Sequence, residues 1–284
     1  MPLIPASKYH CYGNDFLLVT AEALGQANPS EFSRAICDPH FGIGADGCIV
    51  VESITGNRAT LGQYNRDGSV FGMSGNGVRC AASFLVHQEL VDDPEILFQT
   101  GSGLKIYTLL EGSAPRWSFR SRMGQPSFST ADLPCLAPES MKQIQDHPLQ
   151  VSGHIVKVNL VWVGNPQCVV FREDLPDDEE FDFLGSRLEV HEFFPERTNV
   201  SFVVRESEHS IRIRIWERGV GPTHSSGTGS CGAAVTSIYK GMVASPVQVH
   251  TATGSQKVEW SSGQEIRLTG DCEFIAQLEF SFGD

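Results

Sequence analysis

The sequence predicts an α+β protein of two pseudo-symmetric domains, each a β-sheet wrapped around one central α-helix. Three observations support this prediction. A set of motifs occurs twice at one spacing, segments typical of strands accompany each copy, and each copy has a glycine-rich loop leading into an apolar segment of helical period. The 284 residues suffice for two domains of about 140 residues, each with its own core.

The repeated motifs share one register. Three pairs of residues are 151 or 152 positions apart: Gly13 and Gly164, Asn65 and Glu217, and Ser74 and Ser226. In each half, the Asn65 or Glu217 position stands nine residues before the serine. Because three features agree in spacing, we infer an internal duplication and expect both halves to share one architecture.

Strands and central helices follow from the period of the apolar residues. Strands are predicted at residues 16–20, 103–111 (GLKIYTLLE), 155–163 (IVKVNLVWV), 210–217 (SIRIRIWE) and 277–282 (QLEFSF). A helix is predicted after each glycine-rich loop, because small or apolar residues recur there every three to four positions. These positions are Val78, Ala81, Ala82 and Leu85 in the first half, and Ala233, Ala234, Ser237 and Ile238 in the second.

The domain boundary is predicted near residue 120, which gives a first domain of residues 1–120 and a second of residues 121–274. Residues 111–140 are rich in proline, serine and glycine, so we predict a crossover there rather than a core element. The acidic segment PDDEE at 176–180 predicts a solvated loop rather than a metal site.

The composition argues against several classes of partner. With 34 acidic and 21 basic residues, the formal net charge of −13 repels nucleic acid and anionic membranes. The sequence shows no signal-peptide pattern and no apolar run long enough for a membrane span, so we expect a cytoplasmic protein. A small anion is not excluded, because a helix N-terminus holds a carboxylate whatever the net charge.

The eight cysteines are scattered without the spacing of a zinc site or a disulfide framework, which predicts reduced thiols and no metal. Cys80 and Cys231 follow Ser74 and Ser226 by six and five residues, inside the predicted helices. They lie at least one helical turn from the loops, so we expect them in the core.

The two glycine-rich loops predict a site for a small anion. Glycine permits the tight turn into a helix and leaves the first N–H groups uncovered, and the helix dipole favours negative charge there. The candidate cradles are Gly75, Asn76 and Gly77 in the first half, and Gly227, Thr228 and Gly229 in the second. Neither loop has the lysine of a P-loop or the GxGxxG spacing, which argues against a nucleotide. The alternative is a pair of serine-capped turns; the duplication favours two half-sites for one small molecule.

Seven motifs resemble those of diaminopimelate epimerase, a family of the cofactor-independent amino-acid racemase superfamily. They follow the family's order along nearly the whole chain: YGNDFLLV, HFGIGADGCIVV, YNRDGSVFGMSGNGVRCAASFL, MGQP, VGNPQCVVF, FFPERTNVSFV and WERGVGPTHSSGTGSCGAAV. The resemblance implies two similar domains with the site between them, a homodimer and no cofactor. It also implies that the last strand, within residues 275–284, returns to the first domain.

The resemblance further implies a two-base reaction on diaminopimelate, a precursor of lysine and peptidoglycan. In the family, a thiolate removes the α-proton on one face of the substrate while a thiol delivers a proton on the other. The two cysteines stand directly before GNG and GTG, where this chain has Ser74 and Ser226. A family histidine is replaced by Gln167, whereas the acidic residue Glu217 is retained. These four residues are the candidate catalytic set.

The resemblance also supplies candidate substrate contacts. Four amides match those that hold the distal ammonium and carboxylate: Asn14, Asn65, Asn165 and Asn199. Arg218 matches an arginine that clamps a carboxylate, a bidentate task suited to guanidinium. The reacting α-carboxylate is assigned to the backbone of Gly75, Asn76, Gly227 and Thr228.

The serines leave the chemistry open. A thiol has a pKa of about 8.5, whereas an alcohol ionises about as reluctantly as water, at roughly 15.7, and this gap costs on the order of 10 kcal/mol of base availability. Three hypotheses remain: an epimerase that interconverts LL- and meso-diaminopimelate, a homologue that binds an amino acid without racemising it, and a racemase or dehydratase for another amino acid. The serines are either native to this branch or replacements introduced to trap a ligand.

Overall fold

A computed structural model describes residues 2–283 of the chain, which form two compact units. The first unit comprises the described residues up to Ser121 together with those from Thr269 onward, and the second comprises Arg122–Leu268. The chain therefore passes from one unit to the other near residues 121 and 268, where the sequence predicts domain boundaries near residues 120 and 274.

The first unit is a closed eight-stranded barrel. Its strands are β1 (Leu3–Cys11), β2 (Asn14–Thr20), β3 (Gly47–Thr55), β4 (Arg58–Asn65), β5 (Glu95–Thr100), β6 (Gly103–Ser113), β7 (Arg116–Arg122) and β16 (Arg267–Ser281), the last from Thr269 on. They pair in this order, and β16 also pairs with β1, which closes the sheet. Closure leaves no strand edge unpaired.

Three helices accompany this barrel: α1 (Ala21–Leu24), α2 (Pro29–Ile36) and α3 (Gly75–His87). Alternate residues of β2 face different helices, because successive side chains of a strand point to opposite faces. Phe16 and Leu18 pack in the core that contains α3, whereas Leu17 and Val19 pack with the α2 residues Phe32 and Ile36.

The second unit has the strands β8 (His147–Val151), β9 (His154–Trp162), β10 (Pro166–Phe171), β11 (Asn199–Arg205), β12 (Ser210–Glu217), β13 (Gly221–Thr223), β14 (Val247–Thr251) and β15 (Gly254–Glu259). The sheet order is β8-β9-β10-β11-β12-β14-β15, with β13 paired to β12. Its helices are α4 (Asp178–Glu189) and α5 (Gly227–Tyr239), and residues Thr130–Asp132 form one 3₁₀ turn.

The same plan occurs in both units. In the first, β1–β2 is antiparallel, β2–β3 parallel, β3–β4 antiparallel and β4–β5 parallel, and α3 lies between β4 and β5 in the chain. In the second, β9–β10, β10–β11, β11–β12 and β12–β14 repeat that alternation, and α5 lies between β12 and β14. The predicted fold class, two similar α+β domains each with a central helix, is confirmed.

Both central helices are buried on nearly all sides, so most of their residues are apolar or small around the whole circumference, with Asn76 and Arg79 of α3 as buried polar exceptions. Residues 76–85 of α3 and 229–237 of α5 are buried. Glycine at 77 and 229 fits close packing, since a Cβ would lie 2.9 Å from Ile49 Cδ1 in one case and 3.2 Å from Ile215 Cδ1 in the other, so a larger residue would displace these side chains. No helix within residues 2–283 is both long and apolar enough to cross a bilayer.

The prediction of a crossover without core elements at residues 111–140 was wrong for its first part. Strand β7 occupies Arg116–Arg122, and its side chains alternate so that Trp117 and Phe119 enter the core of the first unit. Proline, serine and glycine flank this strand and make it resemble a linker, and only two of its inward residues, Trp117 and Phe119, are apolar.

At PDDEE the prediction of a loop was wrong, although its acidic residues are largely exposed, as predicted. Asp177 caps helix α4 by accepting a hydrogen bond from the Glu180 N–H at 2.8 Å, and the next three acidic residues form the first turn. Acidic residues are favoured at this end of a helix because the dipole is positive there. The segment is a helix start rather than a loop.

Candidate active site

Ser74 begins the central helix of the first unit. Its backbone is extended, with φ −118° and ψ 124°, and its Oγ accepts a hydrogen bond from the Gly77 N–H at 3.1 Å. The Ser74 carbonyl accepts from the Val78 N–H at 2.9 Å. The N–H groups of Gly75 and Asn76 are the first two of the helix and have no intrahelical acceptor. They remain available to an anion.

Ser226 begins the central helix of the second unit in the same way. Its φ is −141° and its ψ 125°, and its Oγ accepts from the Gly229 N–H at 3.3 Å. The Ser226 carbonyl accepts from the Ser230 N–H at 2.9 Å. The first two N–H groups, those of Gly227 and Thr228, again have no acceptor within the helix. The repeated sequence therefore produces the same helix opening twice.

These two openings differ from the other helix starts in the described chain. Helices α1, α2 and α4 each carry an acidic residue in the first turn, whereas α3 and α5 carry none. An acidic side chain at a helix start partly neutralises the positive end of the dipole. Its absence from both central helices leaves that end to a ligand, and an anion is the ligand it favours.

The contribution of the Ser74 cap to folding can be measured as a change in the free energy of unfolding. We expect Ser74→Ala to lower the free energy of unfolding by about 1 kcal/mol, because the Gly77 N–H loses its acceptor. Chemical denaturation followed by circular dichroism measures this change. Ser113→Ala, at the exposed end of β6, is the control and should stay within about 0.5 kcal/mol of the parent. Equal stability of the Ser74 variant and the parent would show that the cap contributes nothing.

Two side chains that the sequence did not single out hold the Ser74 opening in place. The Gln63 Oε1 accepts from the Ser74 N–H at 3.1 Å, and the Tyr107 hydroxyl donates to the Gly75 carbonyl at 3.0 Å. Both lie on strands of the barrel, and strand alternation is the only sequence signal that points them inward. Gln63 holds the Ser74 N–H and Tyr107 holds the Gly75 carbonyl, so the two side chains fix the first residues of the helix.

Asn14 and Asn76 belong to one hydrogen-bonded chain in the first unit. The Asn76 amide donates to Asn14 Oδ1 at 3.2 Å, and the Asn14 amide donates to Asp46 Oδ2 at 2.7 Å. Arg79 donates to Asn76 Oδ1 at 3.2 Å. Asn65 lies outside this chain: it is exposed at the end of β4 and donates to Ser69 Oγ at 2.9 Å.

Asn165 and Gln167 form the corresponding group in the second unit. The Asn165 amide donates to Thr228 Oγ1 at 3.3 Å, and the Gln167 amide donates to Asn165 Oδ1 at 2.7 Å. Gln167 packs on the helix, since a Cβ on Gly232 would lie 2.9 Å from its Cβ and Cγ. An amide does not titrate, so Gln167 orients Asn165 and supplies no proton-transfer group.

Glu217 stands at the end of β12 and interacts with Ser226. Burial raises the pKa of the Glu217 carboxyl, and the hydrogen bond with the Ser226 side chain opposes that rise. At the matching position the first unit has Asn65 instead of a carboxylate. The arrangement gives Ser226 a proton acceptor within its own unit.

Asn199 and Arg218 are joined through the backbone. The Arg218 N–H donates to Asn199 Oδ1 at 3.0 Å, and the Asn199 amide donates to the Pro166 carbonyl at 2.9 Å. The exposed Arg218 side chain donates to the Glu196 carbonyl at 3.1 Å. A guanidinium has five N–H donors. This contact uses one of those of Arg218, so the others can bind a carboxylate.

Glu189 is a buried carboxylate that sequence reasoning missed. Its two oxygens accept from the Gly219 N–H and from Trp216 Nε1, both at 2.7 Å, so it fixes the turn that carries Glu217 and Arg218. Its place at the end of α4 gives no local motif that would have marked it. Only the tertiary structure brings it to the turn.

The neighbouring cysteines do not replace the serines. Cys80 and Cys231 are both fully buried inside the central helices, as predicted. Each lies more than one helical turn beyond its serine. The side chains at the two helix openings are therefore hydroxyls.

Comparison with known proteins gives one consistent family. The family described as diaminopimelate epimerase matches residues 6–129 and 159–275. The diaminopimelate epimerase of Pelotomaculum thermopropionicum is 33% identical over 279 residues, covering 97% of this chain and 98% of that protein. The diaminopimelate epimerase of Desulforudis audaxviator is 37% identical over 274 residues, covering 95% and 96%.

Solved structures share the fold at low sequence identity. A Bacillus anthracis phenazine biosynthesis protein of the PhzF family has a TM-score of 0.67 at 13% identity, covering 99% of this chain and 100% of that chain. A probable proline racemase from Agrobacterium radiobacter K84 has a TM-score of 0.65 at 16% identity, covering 99% and 94%. At such identities the similarity establishes the fold alone.

Proposed function

The chain belongs to the diaminopimelate epimerase family, and we propose on that basis that it interconverts LL- and meso-diaminopimelate without a cofactor. One observation carries the proposal: the two helix openings at Ser74 and Ser226 are built alike, with two unpaired N–H groups each and no acidic residue in the first turn. Each opening suits the carboxylate of an amino acid, and in each a hydroxyl stands beside the free N–H groups.

The proposed reaction exchanges one proton for another at the α-carbon. A base on one face removes the α-proton, and an acid on the other face delivers a proton, so that the substrate keeps its composition and inverts its stereocentre. Negative charge develops on the α-carboxylate as the proton leaves. Helix N–H groups and the dipole stabilise that charge, which assigns Gly75, Asn76, Gly227 and Thr228 to the transition state.

The two proposed acid/base groups are not equivalent. Ser226 has Glu217 as a hydrogen-bonded carboxylate, so this pair is proposed to accept a proton, with Glu217 as the final acceptor. Ser74 has no such partner among the described contacts: its N–H donates to Gln63, and its Oγ accepts from Gly77. We assign Ser74 to proton delivery in the direction in which Ser226 acts as the base.

The distal end of the substrate is assigned to the polar groups around the openings. Asn14 and Asn165 are each oriented by a second polar side chain, and Asn199 fixes the backbone of Arg218. Asn65 completes the proposed set of amides. A carboxylate on the distal carbon suits the Arg218 guanidinium, because the two groups form paired hydrogen bonds.

A second candidate function is capture of diaminopimelate without racemisation. The observation in its favour is that both acid/base positions are hydroxyls whose oxygens already accept from the helix. Neither hydroxyl has a cation beside it among the described contacts, so only the helix N–H groups and the dipole assist its ionisation, and these offset a small part of the pKa gap between an alcohol and a thiol. The third candidate, a racemase or dehydratase for another amino acid, differs in the substrate and would bind diaminopimelate weakly.

Substrate class is tested by binding. We expect Arg218→Ala to raise the Kd for meso-diaminopimelate by about 30- to 100-fold, which corresponds to about 2 to 3 kcal/mol for a hydrogen-bonded ion pair. Titration calorimetry measures the change. Arg212→Ala is the matched control, because Arg212 lies on β12 and pairs with Glu206 at the surface. Equal Kd values for Arg218→Ala and Arg212→Ala would contradict the assignment.

The family also suggests a homodimer in the cytoplasm, acting in lysine biosynthesis. We propose all three as properties of this chain, and light scattering on the purified protein tests whether it is a dimer. A monomer at all concentrations would contradict the dimer and leave the assignment of the site residues unchanged.

A further inference from the structure

Three buried cysteines meet inside the barrel of the first unit. Cys11 ends β1, Cys80 lies in α3 and Cys272 lies in β16. The Sγ atoms of Cys11 and Cys80 are 3.7 Å apart, as are those of Cys80 and Cys272, and all three lie within 4.8 Å of one another. We propose that these three residues bind one soft divalent cation of the Zn²⁺ or Cd²⁺ type.

The sulfur spacing fits such an ion. A Zn–S bond is about 2.3 Å long, so sulfurs around one zinc ion are separated by about 3.8 Å in a tetrahedral site and about 4.0 Å in a planar one. The two separations of 3.7 Å need only a small expansion to reach these values, and the third pair of sulfurs lies within 4.8 Å. A disulfide would need two sulfurs at about 2.05 Å, which requires a much larger movement of the strands.

A buried arginine balances the charge of the proposed site. Arg79 is 1% exposed and adjoins Cys11, and no carboxylate within residues 2–283 lies within salt-bridge distance of its guanidinium. A buried cation needs an anion beside it, and the neighbouring Cys11 is the group that can supply one as a thiolate. Three thiolates, one divalent cation and Arg79 sum to zero charge, so a filled site would leave no net charge in the core.

Ser83 is the candidate for the fourth ligand of the proposed site, with its side-chain oxygen. This side chain is fully buried, its Oγ has no hydrogen-bond partner among the described residues, and it adjoins Cys272. Structural zinc sites take four ligands in a tetrahedron, and three thiolates with one oxygen complete that number.

The sequence prediction of no metal rests on local spacing, and it could not detect this cluster. Cys11, Cys80 and Cys272 come from three elements separated by most of the chain, and zinc motifs are recognised by cysteines a few residues apart. Closure of the barrel by β16 against β1 is what brings Cys272 to Cys11.

The site also connects to the Ser74 opening. The Cys11 thiol donates to the Asn76 carbonyl at 3.5 Å, in the first turn of α3. A cation on Cys11 displaces that proton and ties β1, α3 and β16 together. Binding should therefore stabilise the first unit, since a ligand that binds only the folded state raises the melting temperature.

Cadmium titration tests the proposal on the full chain after removal of metals with a chelator. We expect a thiolate-to-cadmium charge-transfer absorption that saturates at one equivalent, together with a rise in melting temperature. Cys80→Ser and Cys272→Ser should each weaken binding by at least about tenfold. Cys135→Ser is the control, because Cys135 is the one cysteine of the described chain that is not buried, and it should bind as the parent does.

X-ray absorption on the zinc-loaded parent keeps the test valid if a variant fails to fold. Three sulfur neighbours at about 2.3 Å are expected. The proposal is overturned if the absorption band is absent both from the folded chain and from chain that has been unfolded and refolded with cadmium. It is also overturned if both cysteine variants bind cadmium as tightly as the parent, or if fewer than three sulfurs surround the zinc.

Discussion

Replacing Ser74 and Ser226 together by cysteine is expected to raise α-proton exchange on diaminopimelate by at least about a thousand-fold, since each well-placed acid or base contributes about 10²- to 10⁴-fold. A thiol loses its proton far more readily than a hydroxyl, and the uncompensated helix dipole lowers the pKa of a thiol at either opening. Incorporation of deuterium at the α-carbon in heavy water, followed by NMR, measures the rate.

The same substitution should weaken the fold. Sulfur is a poorer hydrogen-bond acceptor than oxygen, so each Ser-to-Cys change removes most of one helix cap and costs about 1 kcal/mol of unfolding free energy. Adding Gln167→His restores a titratable group and should raise exchange again. Ser113→Cys is the control, and it should leave exchange unchanged. An exchange rate that stays flat across the cysteine series would contradict the assigned roles.

Glu217→Gln in the double-cysteine background is expected to lower exchange by about 10²- to 10⁴-fold, because the second opening loses its proton acceptor. Burial raises the pKa of Glu217, so the parent rate should fall as the pH is lowered through that raised pKa, and the Gln variant should lack this fall. Initial rates of exchange as a function of pH measure both effects. Glu179→Gln, in the exposed first turn of α4, is the control.

The pH dependence of the melting temperature tests the raised pKa of Glu217 independently of exchange rates. A carboxyl with a raised pKa in the folded state favours folding while it is protonated, and this contribution is lost as the pH rises through that pKa. Glu217→Gln should therefore melt higher than its parent above the raised pKa and approach it at acidic pH. An identical melting temperature across the pH range would show that the carboxylate is well solvated.

The repeat in the sequence predicted the central helices because their determinants are local, and the serine caps, which the sequence offered only as the alternative to two half-sites, are present in the structure. A serine, a glycine-rich turn and a small apolar run define each helix start, and the structure places Ser74 and Ser226 as the caps. The strand from Ser210 was predicted correctly because its residues alternate between buried and more exposed positions. The strand from Gly103 was also predicted correctly, although only Tyr107 of its residues is buried.

Features that depend on distant elements could not be predicted from the sequence. Glu189 holds the turn after Glu217 from the end of another helix, and the cysteine cluster needs three separate elements. The sequence analysis missed strand β7 because its apolar residues occur only at inward positions and the segments on either side resemble a linker. Local patterns define an element, whereas long-range contacts define what that element touches.

Deuterium incorporation by the unaltered chain, incubated with LL-diaminopimelate in heavy water at near-stoichiometric concentration, tests the proton-transfer role of the two hydroxyls most directly. We predict slow incorporation at the α-carbon above a protein-free blank, with deuterated LL and meso isomers appearing together. Calorimetric binding of the ligand with no deuterium above the blank would contradict an epimerase and leave a binding protein.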